Sequence, residues 1–202
     1  MIKNIIFDLG NVLLKGSPLI VLENSKLKSN EYYNLRKFFE NWKELDLGKE
    51  TLEDHIKQCR FDITLDKEKE NLLLNYYKYR PFNNEVFELM DNLKHNGYNI
   101  FILSNNNKET YEYLRKHSMF KCVDGWVVSC NCNVVKPNKE IYLILFKTFN
   151  IKPEESYFID DNIKNIEVAK KLGMKGFVFD NICLKNGELI EDMKDENIIL
   201  DK

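Results

Sequence analysis

Residues 2–8, Ile2-Lys3-Asn4-Ile5-Ile6-Phe7-Asp8 (IKNIIFD), form a short apolar run closed by an acid. A strand buried on both faces reads this way: helices cover both sides of a parallel sheet, so polar alternation disappears, and a residue at the carboxyl end is free to carry function. Four runs of the same kind follow, at 98–103 (YNIFIL), 125–129 (GWVVS), 156–159 (SYFI) and 175–179 (KGFVF). Between them the apolar spacing becomes helical. Val86, Leu89, Met90 and Leu93 share one face of a segment over 85–96 that closes on Gly97, and segments 108–117, 139–149 and 165–172 behave alike, the last closing on Gly173. Strand and helix in alternation predict a parallel α/β sheet with right-handed crossovers.

The stretch from about 15 to 80 breaks that rhythm. It holds no convincing buried strand, and residues 19–27, 31–46, 51–59 and 66–79 read as up to four amphipathic helices. Thr51 with Asp54 three residues on is a capping-box-like start, with aspartate where glutamate is usual. Inserted after the first strand, these residues cannot join the sheet and are expected to form a small helical subdomain leaning over its edge. The tail over 184–202 is charged and is expected to be loosely helical or extended.

A chain of 202 residues, 44% hydrophobic and 12% aromatic, can bury one good-sized core. Lysine and arginine number 30 against 32 aspartates and glutamates, a net charge of −2 without any one-signed segment, so neither nucleic acid nor an anionic membrane is the expected partner. Apolar runs such as 100–103 fall far short of the roughly 20 residues of a membrane span. Residues 1–5 (MIKNI) do not begin a secretory signal, which points to the cytoplasm. Cysteines at 59, 122, 130, 132 and 183 form no C-x-x-C pair and read as reduced thiols. Cys130 and Cys132 supply two thiols where a structural zinc wants four ligands, and His117 offers no partner at finger spacing, so zinc is not expected.

Ligands of open α/β sheets bind outside the carboxyl ends of the strands. Asp8 follows the first strand, Ser104-Asn105-Asn106-Asn107 the second, Lys136 lies in a loop after the third, and Asp160-Asp161 follow the fourth. Carboxylates facing a lysine and a hydroxyl–amide loop at helix starts suit a divalent cation together with a phosphate group, since carboxylates offer hard oxygens and helix-start amides hold phosphate oxygens.

In these four positions, in this order, the chain resembles the haloacid dehalogenase (HAD) superfamily of hydrolases. The matching segments are FDLGNV with Asp8, LSNN with Ser104, VKPNKEIY with Lys136 and YFIDDNIKNIE with Asp160 and Asp161. The resemblance is greatest to small phosphatases with a helical (C1-type) cap and a D-x-G-N-V first motif. It implies a Rossmann-like, doubly wound core over 1–14 and 82–202 and an all-helical cap over 15–81. It also implies Asp8 as the nucleophile that forms an aspartyl-phosphate. Ser104 and the Asn105 backbone are implied to bind the phosphoryl oxygens, and Lys136 to neutralise the carboxylates and the transferring group. Asp8, the Gly10 carbonyl and Asp161 are the implied Mg²⁺ ligands, with Asn11, Asp160 and Asn165 supporting them. Electrostatics asks for the same cation, because two carboxylates and a dianionic phosphate repel one another in one pocket.

One position departs from the pattern. The common first motif is D-x-D, whose second aspartate protonates the leaving oxygen and then activates water; here Gly10 stands in its place. Such a residue contributes about 10²–10⁴-fold in rate. Three readings follow: a phosphatase whose acid comes from solvent, substrate or a cap residue; a dehalogenase, whose carboxylate attacks carbon and whose halide leaves without a proton; or a catalytically weak phospho-ligand-binding protein. Gly10 with Asp160-Asp161 argues against the second, because dehalogenases typically carry an aromatic there and need no metal.

In the cap, His55 is a candidate substitute acid, though a solvated helix-face histidine is the expectation. Phe38, Phe39, Tyr76, Tyr77 and Tyr79 are expected to pack, with Trp42-Lys43 as a substrate contact. Lys15 reads as a surface lysine. The expected substrate is a small phosphorylated metabolite, a sugar phosphate ahead of others, turned over by a monomer or homodimer.

Overall fold

The computed structural model describes residues 1–200, so Asp201 and Lys202 at the end of the tail lie outside the described residues. Five strands form one sheet: β1 (Asn4–Phe7), β2 (Asn99–Ser104), β3 (Gly125–Val128), β4 (Ser156–Asp160) and β5 (Lys175–Val178). Every pairing is parallel and the order is β3-β2-β1-β4-β5. Each predicted strand is found within two residues of its expected ends.

Twelve helices accompany the sheet among the described residues: α1 (Ile20–Glu23), α2 (Ser29–Leu35), α3 (Lys43–Asp46), α4 (Leu52–Gln58), α5 (Lys67–Leu74), α6 (Asn84–His95), α7 (Lys108–Leu114), α8 (Ser129–Cys132), α9 (Lys139–Phe149), α10 (Ile163–Lys171), α11 (Asn181–Lys185) and α12 (Glu188–Asp195). Successive strand residues point to opposite faces, which divides the apolar side chains between two cores. Ile5, Phe7, Ile100, Ile102, Tyr157 and Ile159 pack with α6 and α12 on one face. Ile6, Phe101, Leu103 and Phe158 pack with α9 and α10 on the other. The sheet is therefore doubly wound, and the chain changes direction across it between β1 and β4. The crevice for ligands lies at that point, outside the strands' carboxyl ends.

Residues between β1 and α6 bury a core of their own, with Leu22, Leu35, Phe38, Leu45, Leu52, Leu73 and Tyr76 at its centre. Its helices are shorter than the apolar spacing predicts. The expected helix over 31–46 is broken: α2 runs into a 3₁₀ turn at Arg36–Phe39, Glu40 is extended, and Asn41 sits at φ +58° before α3 begins. The Phe38 carbonyl shows why. A continuing helix would give it to the backbone of residue 42, but it accepts instead from Trp42 Nε1 at 2.6 Å and lies 2.8 Å from His55 Nε2. The expected helix over 66–79 likewise ends at Leu74 and resumes as a 3₁₀ turn at Tyr76–Lys78. At Thr51 the cap forms as expected, the hydroxyl oxygen accepting from the Asp54 N–H; the shorter aspartate carboxylate takes the Thr51 hydroxyl proton at 2.8 Å rather than reaching the backbone.

The two chain segments that enter and leave this helical layer pair with each other. Lys15 N donates to Pro81 O at 2.8 Å, Asn83 N donates to Leu13 O at 2.9 Å, and Leu14 bridges Phe82. The tail corrects an expectation. Over 188–195 it is a regular helix whose Leu189 and Met193, one turn apart, enter the main core together with Ile198. Charge on the remaining faces conceals an apolar stripe only two residues long in the helix, which periodicity cannot distinguish from chance.

Candidate active site

Asp8 ends β1, held there by its N–H donating to Ile159 O at 2.9 Å, one rung beyond the last paired residue. The residue is 7% exposed. Lys136, from the loop between α8 and α9, brings Nζ within 2.8 Å of Asp8 Oδ1. This is a contact of charges without hydrogen-bond direction: Nζ donates instead to Leu103 O at 2.9 Å and to Asp160 Oδ2 at 2.6 Å, which leaves Asp8 Oδ1 buried and without a hydrogen-bond partner. Burial pushes Asp8 up to about 6 and the Asp160 charge adds to the rise, against Lys136 and Ser104, which pull it down. Burial by itself would lower Lys136, but the carboxylates of Asp8 and Asp160 outweigh it and hold the ammonium above the ordinary lysine range.

Asp160 differs in every respect. It is fully buried, Oδ1 accepts from Asn162 N (2.8 Å) and Asn165 Nδ2 (2.9 Å), and Oδ2 accepts from Lys136 Nζ (2.6 Å) and the same Asn165 amide (3.0 Å). A carboxylate has about four lone-pair sites, so Asp160 has none to spare. Asn165 is fixed in turn on α10, where its carbonyl accepts from Tyr142 OH at 3.0 Å. Asp161 is half-buried and accepts from Asn11 Nδ2 at 2.6 Å, a bond that ties the loop after β1 to the loop after β4. Asn11 takes φ +55° to make it.

Carboxylate oxygens of Asp8, Asp160 and Asp161 come within 4.8 Å of one another. Among the described residues this is the group of carboxylate, histidine or cysteine side chains able to hold a metal ion, and Cys130 and Cys132 belong to none. The donor set fits a hard cation, because every candidate ligand atom in the cluster is a carboxylate oxygen. Gly10 borders the cleft, and a Cβ built on it would meet nothing nearer than Asp8 Oδ2 at 3.9 Å.

Ser104-Asn105-Asn106-Asn107 divides its labour. Asn105 clamps the backbone of Lys136 from both sides, Nδ2 donating to Lys136 O (3.0 Å) and Oδ1 accepting from Lys136 N (2.7 Å). Asn106 N donates to Ser129 Oγ at 3.0 Å. Asn107 caps α7 by accepting from Thr110 N and donates to the Tyr76 hydroxyl at 2.8 Å, so the helical layer is bolted to this loop. Ser104, 1% exposed, lies at the strand end beside them.

The helical layer closes the site into a cleft of about 270 Å³ that Asp8, Gly10, Asn11, Asn105, Lys136, Asp161 and Asn165 share with Trp42, Asp46, Tyr76 and Arg80. Trp42 was expected here; Lys43 is exposed and does not border the cleft. Asp46 and Arg80 went unrecognised, since each sits in a helical or turn segment with no spacing to link it to Asp8. Arg80 is 7% exposed, its guanidinium donates to Gly16 O, and its Nε has no partner. Burial and the Asp8 charge hold Asp46 up to about 7, against the pull of Lys136. His55 is neither solvated nor in the cleft: it is buried inside the helical layer, with Nδ1 2.8 Å from Glu50 Oε1 and Nε2 on the Phe38 carbonyl. It borders instead a larger hollow of about 580 Å³ that none of the strand-end residues reaches. Lys15 is exposed, as expected.

Known proteins place this arrangement. The model of the haloacid dehalogenase-like hydrolase family matches residues 2–173. D-ribitol-5-phosphate phosphatase of Bacteroides thetaiotaomicron is 26% identical over 90% of this chain and 93% of its own length. The phosphorylated carbohydrates phosphatase of Thermotoga maritima is 25% identical over 85% of this chain and 82% of its own. Among solved structures, a mutant HAD family enzyme from Bacteroides thetaiotaomicron, in complex with magnesium and inorganic phosphate, superposes with a TM-score of 0.69 at 21% identity, over 88% of this chain and 93% of that one. No helix among the described residues is long and apolar enough to cross a membrane. With most of its length inside the family's pattern and its acids, lysine and hydroxyl loop gathered at one sheet edge, the chain belongs to the haloacid dehalogenase-like hydrolase family.

Proposed function

We propose that the protein is a Mg²⁺-dependent phosphomonoester hydrolase that works through a phosphoryl group carried on Asp8. The observation that carries this reading is the contrast inside one 4.8 Å acidic cluster: Asp8 borders the cleft, while Asp160 has every oxygen position filled and does not border it. A nucleophile needs a free lone pair, and a residue that holds a lysine in place does not.

In this reading Asp8 attacks phosphorus, Lys136 and Ser104 face the phosphoryl oxygens together with the Asn105 backbone, and water then releases phosphate from Asp8. Asp8, the Gly10 carbonyl and Asp161 hold Mg²⁺, which supplies neutralising charge between the carboxylates and the phosphate. Asn11 orients Asp161, and Asn165 and Asp160 orient Lys136. Residues 15–81 act as the cap that selects the substrate, for their side chains form one wall of the cleft. A volume of about 270 Å³ suits a small ligand, and the relatives named for ribitol phosphate and phosphorylated carbohydrates support a sugar or polyol phosphate. Phosphate release from a panel of sugar, polyol, nucleotide and aryl phosphates, with Mg²⁺ and with chelator, tests the proposal. Mg²⁺-dependent turnover that Asp8→Asn abolishes is expected; full activity in Asp8→Asn, or chloride release from 2-chloropropionate without phosphatase activity, overturns it.

A further inference from the structure

Gly10 leaves the cleft with space and no acid at the position where a second aspartate of the first motif would stand. The side chains that border the cleft and can carry a proton are few, and most are committed. Lys136 has its ammonium on Leu103 O, Asp160 and Asp8. Tyr76 is bound to Thr110 and Asn107, and burial pushes its hydroxyl up to about 12. Asp161 is tied to Asn11, and Arg80 is a guanidinium that does not give up its proton near neutral pH. Asp46 remains, bordering the same cleft, with no side-chain hydrogen bond or ion pair of its own among the described residues.

Its placement is built. Asp46 ends α3, its N–H donating to Trp42 O at 2.8 Å. Leu45 before it is fully buried in the helical layer's core. The Leu47 carbonyl after it accepts from Asn133 Nδ2 of the sheet domain at 2.6 Å. Gly48, at φ +67°, lies so close to the turn α8 that a Cβ there would stand 2.3 Å from the Cys130 carbonyl oxygen. Only a glycine allows that approach, which presses the end of α3 onto the core and holds the Asp46 carboxyl over the cleft.

We propose that Asp46 is the acid–base residue of this site, doing from the helical layer the work for which Gly10 has no side chain. This rests on the phosphatase reading above. As Asp8 Oδ bonds to phosphorus, the bond from phosphorus to the leaving oxygen breaks, its electron pair stays on that oxygen, and the oxygen takes the Asp46 carboxyl proton. In the second half, the Asp46 carboxylate takes a proton from the water whose oxygen bonds to phosphorus. The phosphorus–Asp8 bond breaks with its pair returning to Asp8, and Asp46 is again protonated. Burial, which raises the carboxyl to about 7, keeps a share of it protonated near neutral pH for that starting state.

The test compares leaving groups. Hydrolysis of 4-nitrophenyl phosphate, whose leaving group needs no proton, is measured beside an alkyl phosphate, ribitol 5-phosphate, for wild type, Asp46→Asn, Gly48→Ala and the Asp46→Asn/Gly10→Asp double variant. Asp46→Asn is expected to lose about 10²-fold or more in kcat/KM on the alkyl phosphate and less than about tenfold on the aryl one. Gly48→Ala is expected to show the same selectivity more weakly, and the double variant to regain alkyl phosphate turnover. A loss equal on both substrates, or none on either, overturns the proposal. Should Asp46→Asn fail to fold, Asp46→Ser takes its place in the same comparison, where selective loss supports the proposal and equal loss overturns it. If wild type turns over neither ester, or Asp8→Asn keeps both activities, the phosphatase reading itself falls and this inference with it.

Discussion

Two loops at the carboxyl edge of the sheet, one after β1 and one after β4, each begin with a buried aspartate within reach of the same lysine, and the structure treats them in opposite ways. Asp160 receives an amide N–H, a side-chain amide on both oxygens and the Lys136 ammonium. Asp8 shares the burial and the lysine but keeps an oxygen without a hydrogen bond. Desolvation is costly for both, and only Asp160 has a hydrogen-bond partner at every oxygen position to set against it. The difference separates a carboxylate locked into the scaffold from one that borders the cleft.

The same substitution at the two positions is the sharpest way to break this comparison. Asp8→Asn is expected to lower kcat for phosphate release by at least about 10³-fold, while urea unfolding shows stability no lower than wild type. Asp160→Asn is expected to cost about 3–5 kcal/mol in the same unfolding experiment, because it strips Lys136 of its best-directed partner. Equal stabilities in the two variants would erase the distinction.

A control belongs to neither loop. His55→Leu leaves Glu50 and a twice-used carbonyl short of a partner inside the helical layer, so stability is expected to drop by about 1–3 kcal/mol with kcat per folded molecule unchanged. A finer probe is the bond between the loops: Asn11→Gly keeps the positive φ and removes the amide on Asp161, and the Mg²⁺ concentration for half-maximal activity is expected to rise about tenfold.

A further expectation concerns pH. Asp8 at about 6 and Asp46 at about 7 both lie above the ordinary 3.8, so the folded protein keeps protons that the unfolded chain has released. Stability therefore falls as pH rises from about 4 to about 7 and levels off beyond it. Asp46→Asn is expected to flatten the upper part of that decline in unfolding measurements at a series of pH values; an unchanged slope would show that Asp46 does not titrate there.

The strand-end residues were legible because each is announced locally. Asp8, Ser104 and Asp160 close apolar runs, and in a parallel sheet the end of such a run is the edge where ligands bind. The helical insertion was legible as a whole and misread in detail. Continuous helices over 31–46 and 66–79 satisfied the apolar spacing, but burying Phe38, Trp42 and Tyr76 against one another required the chain to turn at Asn41 and Asn75. His55 was misplaced for the same reason: a histidine on a helix looks solvated until a second segment covers it. In the tail, Leu189 and Met193 were too few to outweigh their charged neighbours, although the sheet supplied the surface that made them core.

By itself the sequence determined the parallel sheet, the order of its strand-end loops, the insertion after the first strand and the glycine at position 10. These are properties of periodicity and of residues adjacent in the chain. Tertiary structure alone decided that Asp160 is saturated and Asp8 is not, that Asn105 serves the Lys136 backbone, and that Asp46 and Arg80 border the cleft. Those facts depend on which groups meet after segments far apart in the chain have packed, and on how much water the packing removes around each charge. No local pattern carries that information, because the energy of a buried carboxylate is set by its partners in space.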